Sequence, residues 1–220
     1  MLGLLLTVAL VCHGLPDERT ELAAAEHRSP VRRLLGSPPF LWFLIATSAV
    51  QSSHALYYAF GTLHWQAAGH SEGTIGVLWA EGVIAEIVLF AYGAHVMRRY
   101  RAVTLIAIGA AAGLLRWSVT AWTTDLSWLL LVQPLHALTY GATHLGAIRF
   151  LAQRVDASIS ASAQSLYGAV ANGLVMGTWS IGAGILYEEL AGVAYLFMAG
   201  SSILGLFAVI ALYRLGQRSV

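Results

Sequence analysis

Six stretches of the chain are almost wholly apolar: residues 40–65, 74–96, 102–122, 126–150, 160–187 and 191–213. Each is long enough to cross a hydrocarbon core about 30 Å thick as a helix rising ~1.5 Å per residue. The pattern predicts an all-α integral membrane protein whose residues 40–213 form a six-helix transmembrane bundle. Trp42, Trp65, Trp122, Trp128 and Tyr213 fall near segment ends, as interfacial aromatics do. Residues 13–39 carry Asp17, Glu18, Arg19, Glu21, Glu26, Arg28, Arg32, Arg33 and four prolines. They read as a cytoplasmic linker with a short helix around residues 18–27. Residues 1–12 are apolar but too short to span, and no basic region precedes them as in a signal peptide. They are expected to be the tail of a truncated transmembrane helix. Residues 214–220 form a cytoplasmic tail on this reading.

Within that apolar background the polar positions are few and patterned. The second segment holds Glu81 and Glu86, and the third holds Arg116. A charge at the centre of a membrane helix costs at least ~2.5 kcal/mol, so such residues face a polar interior and have partners. In the first segment Gln51, His54 and Tyr58 recur at i, i+3 and i+7 and share a helix face. In the fourth, His136, Tyr140 and Thr143 do the same, with His144 at the edge of the stripe. Gln164, Tyr167 and Ala171 line up in the fifth, with Asn172 beside them. In the third, Gly109, Ala112, Gly113 and Arg116 share a face, and in the second Trp79, Gly82, Glu86 and Gly93 do. Glu81 lies about 140° around that helix from Glu86. Counted from the segment ends away from the arginine-rich side, Glu81 and Arg116 lie at a depth of ~10 Å, His54 and His136 at ~15 Å, and Glu86 at ~18 Å. Arg116 is therefore expected to reach Glu81 directly, and Glu86 only through a favourable rotamer or a water. The structural alternatives stay open. The histidines could simply hydrogen-bond neighbouring helices, and a Glu–Arg pair could only hold two helices in register.

Composition agrees with the pattern. The chain is 58% hydrophobic and 10% charged, with a mean hydropathy of +0.69, whereas a soluble domain carries about 25% charged residues. The net charge of +1 matters less than where the charges sit. Every basic residue is arginine, and all but Arg116 fall on one side of the predicted bundle: Arg19, Arg28, Arg32, Arg33, Arg98, Arg99, Arg101, Arg149, Arg154, Arg214 and Arg218. The opposite loops hold His70, Glu72, Asp125, Glu188 and Glu189. The positive-inside rule makes the arginine side, and with it the C-terminus, cytoplasmic; a multi-pass protein, of the bacterial inner membrane, is the expectation. The single Cys12 excludes an internal disulfide. No P-loop, CxxC, HExxH or nucleic-acid motif is present, so neither a cofactor nor a nucleic-acid partner is expected. A metal site from His54, His136 and a glutamate lacks any ligand spacing. Gly109 with Gly113, and Gly173 with Gly177, form GxxxG pairs; with Gly168, Gly182 and Gly184 they suggest close helix contacts.

Several runs resemble the phenylpropionate permease group of the major facilitator superfamily. They are HALYY at 54–58, WQAAG at 65–69, GVIAEI at 82–87, RW at 116–117, QPLH at 133–136 and HLGAIR at 144–149. The resemblance covers residues 40–187 and matches the C-terminal half of such transporters, which have twelve spans in two six-helix bundles. It implies that residues 1–12 end span six and that 13–39 are the central cytoplasmic loop. It also implies functional weight for His54, Glu86, Arg116, His136 and His144, which stand in matching motifs. Glu81 departs from the family pattern, which has a small polar residue there, so the resemblance ranks Glu86 first where depth favours Glu81. The superfamily's loop motif is degraded as well. Gly93, Arg98 and Arg101 match it, but Met97 replaces its acid and Tyr100 its second glycine.

The function these features point to is proton-coupled uptake of a small organic acid, with the aromatic class supplied by the resemblance. Its partners would be that substrate, protons, the bilayer, and either a missing N-terminal six-helix half or a second copy. A substrate carboxylate needs a fixed cation, and Arg116 is always charged. A coupling proton needs a group that can be neutral in a dry site, as the carboxyl of Glu86 or Glu81 can. His54 and His136 could orient the acid or relay the proton. Trp79, Tyr58 and Tyr140 could stack against a ring, with His144 and Asn172 completing the substrate site. A sugar or nucleoside symporter half, and a non-transporting membrane assembly module, remain alternatives. A membrane hydrolase lacks a nucleophile–base spacing.

Overall fold

The structure, a computed structural model, describes residues 29–217. The truncated helix expected at 1–12, the helix expected around 18–27 and the end of the 214–220 tail lie outside the described residues. The described chain is helical from end to end, without a strand.

Proline and serine open the first helices. Pro30 stands at the start of α1 (Pro30–Leu35), where the Ser29 hydroxyl accepts from the Arg32 N–H (3.3 Å). Pro38 and Pro39 open α2 (Pro38–Ser52), where a missing N–H is harmless. The 40–65 segment, expected as one helix, breaks at Ser53 and His54 and resumes as α3 (Ala55–Ala67). The Ser53 hydroxyl donates back to the Val50 carbonyl (2.6 Å) and that of Ser52 to Ala49 (3.4 Å), in competition with the backbone ladder. The backbone N–H of His54 turns to Gln51, only three residues back.

Capping sets the next boundaries. The Ser71 hydroxyl accepts from the Thr74 N–H (3.2 Å) and starts α4 (Glu72–Ala91), which bends at Tyr92 into α5 (Gly93–Arg99). The uninterrupted α6 (Ala102–Trp122) follows Arg101 and stops at extended Thr123. Asp125 caps α7 (Leu126–Val132), which ends because Pro134 has no N–H to give. A 3₁₀ turn (Gln133–Leu135) and a π turn (Ala137–Ala142) lead into α8 (Thr143–Arg154). Likewise α9 (Ser160–Tyr167) passes through a π turn (Gly168–Val175) into α10 (Met176–Leu190). Ala191, at φ 45°, reverses the chain into α11 (Tyr195–Gln217). Among the described residues three helical runs are long and apolar enough to cross a membrane: Glu72–Ala91, Ala102–Trp122 and Ala157–Leu215.

Helix α11 lies between α6 and α2, α6 packs on α8 and its π turn, and α4 packs on the 133–142 turns. Two apolar clusters result. One gathers Phe40, Phe43, Phe150, Tyr167 and Leu212; the other gathers Leu56, Tyr57, Trp65, Leu78, Trp117 and Tyr195. The buried polar residues Gln51, Ser52, Ser53, His54, Arg116, Gln133, His136 and Thr139 belong to neither. Large apolar side chains such as Val77, Ile84, Ile87, Leu131, Ile181, Ile185 and Phe207 are exposed. An aqueous surface disfavours such a coat and a lipid surround accepts it.

The first GxxxG pair makes the expected contact. A Cβ on Gly113 would sit 2.5 Å from the Ser202 hydroxyl, and one on Gly109 would overlap the Thr143 hydroxyl. Gly113→Leu is expected to force α6 and α11 apart and to lower the yield of monodisperse protein several-fold, read by size-exclusion chromatography in detergent. Unchanged yield and thermal stability would show that this contact is dispensable. The second pair corrects the sequence reading. Nothing lies within 4 Å of a Cβ on Gly168, Gly177 or Gly182, and Gly173 meets only the Gly168 carbonyl in its own turn. That helix packs through Ala163, Tyr167, Ala171 and Ala183 instead.

Candidate functional site

Arg116 stands in the C-terminal half of α6 and is fully buried. Its side chain is held by residues that the Pro134 break presents. Gln133, His136 and Thr139 are spaced by three, and a 3₁₀-like start to the turn puts such residues on one side. One terminal nitrogen of Arg116 donates to Gln133 Oε1 (2.9 Å), the other to His136 Nδ1 (3.2 Å) and Thr139 Oγ1 (3.4 Å). The guanidinium carbon lies 4.4 Å from the Tyr57 ring centre and 4.6 Å from that of Trp117, in the corner formed by two rings whose centres are 5.7 Å apart. Gln133 is fixed in turn, donating to Tyr57 OH and the Leu78 carbonyl (both 3.0 Å), and Trp117 donates to Ser53 Oγ (2.9 Å).

His136 carries the contact onward. Its Nε2 lies 3.2 Å from Glu86 Oε2. Arginine can only donate, so His136 Nδ1 accepts from it, and the ring's proton sits on Nε2, facing the Glu86 carboxylate. Helix α4 comes this close because residue 82 is glycine: a Cβ there would lie 3.3 Å from His136 Cβ. On the far side, His54 Nδ1 donates to the Gln51 carbonyl (3.1 Å), which leaves Nε2 to accept from the Thr139 hydroxyl (2.9 Å). A continuous polar chain therefore runs His54–Thr139–Arg116–His136–Glu86.

A cavity of about 490 Å³ opens on the Glu86 end, lined by Tyr57, Tyr58, Trp79, Val83, Glu86, His136, Tyr140, Asn172 and Met176. Its wall is largely aromatic. Tyr57 and Trp79 lie 4.4 Å apart, His136 stacks on Tyr140 at 5.7 Å, and Tyr140 stacks on His144 at 6.4 Å. Trp79 is oriented by its N–H to Thr62 Oγ1 (3.0 Å).

Of the residues picked out in the sequence, Tyr58, Trp79, Glu86, His136, Tyr140 and Asn172 line the cavity together. His54 and Arg116 lie behind its wall, and His144 sits beyond Tyr140. The expected direct contact of Arg116 with a glutamate is not made: His136 stands between Arg116 and Glu86. Glu81 stays apart, with one carboxylate oxygen buried and without a hydrogen-bond partner. Thr143, expected beside His136, faces Gly109 instead. The sequence reading missed Gln133, Thr139 and Tyr57 as site residues. The spacing of Gln133 and Thr139 from His136 by three on either side, next to Pro134, was the available signal. Among the described residues no three His, Cys, Asp or Glu side chains could hold a metal ion.

These features define an all-helical membrane protein with a charged relay behind an aromatic cavity. The profile of the MFS_1-like family matches residues 3–199, and the chain belongs to this branch of the major facilitator superfamily, a family of transporters. It is 38% identical over 157 residues to the probable 3-phenylpropionic acid transporter of Escherichia coli (strain K12), covering 71% of this chain and 41% of that protein. It is 26% identical over 215 residues to the maltose permease of Geobacillus stearothermophilus, covering 94% of this chain and 53% of that one. An uncharacterized transporter of Bacillus subtilis (strain 168) is 24% identical over 153 residues, covering 69% and 38%. The chain thus spans about half or less of the length of these relatives.

Proposed function

We propose that the chain forms the C-terminal six-helix half of a proton-coupled symporter that takes up a small aromatic or organic acid, such as 3-phenylpropionate, across the bacterial inner membrane. The observation that carries this reading is the ending of the Arg116–His136 relay on Glu86, at the wall of an aromatic cavity. While Glu86 is ionised, it accepts the His136 Nε2 proton and its own charge repels an anion. A proton on Glu86 removes that charge and frees the His136 N–H to donate to a substrate carboxylate, with Arg116 behind it. Proton and anion would then load together, proton first. Tyr57, Tyr58, Trp79 and Tyr140 would face the ring. An N-terminal six-helix half, or a second copy, would close the cavity, and rocking of the two bundles would expose it to either side.

A neutral sugar is the second reading, favoured by a lining that holds Asn172 and tyrosine hydroxyls but no arginine. Proteoliposomes holding the chain with its completing half separate the two. Acid-driven uptake of labelled 3-phenylpropionate, accompanied by proton entry and indifferent to maltose, is expected. Uptake of maltose instead would favour the sugar reading, and transport of neither would leave a membrane assembly module.

The arginine-rich ends are proposed to be cytoplasmic. In a Cys12→Ser background, Asp125→Cys should react with an impermeant thiol reagent in intact cells and Arg99→Cys should not. The reverse pattern would invert the topology.

A further inference from the structure

A second cavity, of about 370 Å³, lies where α6 begins and where α8 and α11 approach their ends. Arg101, Arg149 and Arg154 line it, together with Thr104 and Gln153, and no carboxylate does. Its apolar wall is Val103, Phe150, Leu212 and the ring of Tyr213.

The chemistry of this cavity is that of an anion site. Arg149 Nε is buried without a hydrogen-bond partner, and neither Arg149 nor Arg154 is paired with a carboxylate among the described residues. Arg101 lies over the Tyr213 ring at 5.9 Å, and both line the cavity. The first residues of α6, Ala102, Val103 and Thr104, also line the cavity, and the capping residue Arg101 offers no side-chain acceptor. Their N–H groups at the positive end of a 21-residue helix are free to meet an anion. Guanidinium groups without a carboxylate partner and free N–H groups call for a ligand with several acceptor oxygens, and a phosphate has them.

The apolar wall selects the source of that phosphate. We propose that the cavity binds the phosphodiester headgroup of an anionic phospholipid, with its glycerol and upper acyl carbons against Val103, Phe150 and Leu212. The proposal rests on reading these helices as membrane spans, which places the cavity at headgroup level beside exposed Tyr100 and Tyr213. Basic pockets between helix ends are suited to such lipids. The binding does not depend on what the central cavity carries, so its failure and a failure of transport are separate results.

The test uses the purified chain in detergent, with lipid adducts read by native mass spectrometry and stability by thermal unfolding. Phosphatidylglycerol is expected to be retained in preference to phosphatidylcholine and to raise the unfolding temperature, while inorganic phosphate does neither. Arg149→Gln with Arg154→Gln should lower the preference about 25-fold, at about fivefold per charge. Should the double variant fail to fold, the exposed Arg154→Gln alone carries the test, with a loss of about fivefold. Arg99→Gln, a neighbouring charge outside the cavity, should leave the preference intact. Equal retention of the two lipids, or an equal loss with Arg99→Gln, would overturn the proposal as mere surface charge. Stabilisation by inorganic phosphate as large as that by phosphatidylglycerol would overturn the lipid as ligand.

Discussion

Glu86→Gln is expected to abolish uptake driven by a pH gradient, to below about a tenth of the parent rate, while exchange of labelled for unlabelled substrate at equal pH continues. The substitution keeps the shape of the side chain and leaves an amide oxygen to accept from His136 Nε2, but it removes the one carboxyl among the described residues that line the cavity. Net uptake requires that release; exchange requires only that the loaded carrier turn over. A permanently neutral residue 86 mimics the protonated state and supports the second process alone. The comparison is made in proteoliposomes with the two assays run on the same preparation. Glu81→Gln is expected to have a weaker effect, since Glu81 neither lines the cavity nor touches the relay. Loss of gradient-driven uptake in Glu81→Gln with full activity in Glu86→Gln would assign the proton to Glu81. No effect from either would make both carboxylates structural and remove symport from consideration.

The hydrophobic pattern located helix well where capping and charge coincide with the change in polarity. Residues 102–122 are bounded by Arg101 and by extended Thr123, and the α6 helix occupies that same range. What the pattern does not carry is the interior of a helix. Apolar periodicity is blind to the serine back-bonding that breaks the chain at Ser53 and His54, and to the wider turns at 137–142 and 168–175. Those turns shift the register. A regular helix joins His136 to Tyr140 and Thr143, whereas the distorted one brings Thr139 to Arg116 and turns Thr143 toward Gly109. The site was legible in its residue types for a different reason. Charges and imidazoles at membrane depth are costly, so each was already marked as paired. The pairing itself was misjudged. Rise per residue gives depth and not direction, so Glu81 and Arg116 matched in height while His136 occupied the space between Arg116 and Glu86. The open glycine face at Gly177 and Gly182 was misjudged likewise, because GxxxG shows where a backbone can be approached, not whether a neighbour is there.

Arg116→Lys is expected to weaken binding of 3-phenylpropionate nearly as much as Arg116→Gln, each by about 10- to 100-fold, as measured by substrate quenching of Trp79 fluorescence. The sequence reading treats Arg116 as a fixed charge for the substrate, and a lysine would supply one. The structure assigns it a different contact. Arg116 does not line the cavity; it forks to Gln133, His136 and Thr139 and packs against the rings of Tyr57 and Trp117. A lysine has neither the plane for the rings nor a fork for three acceptors. Without a donor fixed on Nδ1, the His136 proton is free to move to that nitrogen, and Nε2 then accepts where it must donate to the substrate. Loss of the fork also leaves Gln133 Oε1 buried without its partner, so both variants should unfold at lower temperature than the parent. Fluorescence titrations are therefore run below the lowered midpoint, and Gln133→Leu serves as the control for stability without loss of the cation. Binding retained in Arg116→Lys but lost in Arg116→Gln would show that charge alone suffices and that Arg116 acts on the substrate directly. Equal loss in both, with a smaller loss in Gln133→Leu, would place the function of Arg116 in holding the tautomer of His136.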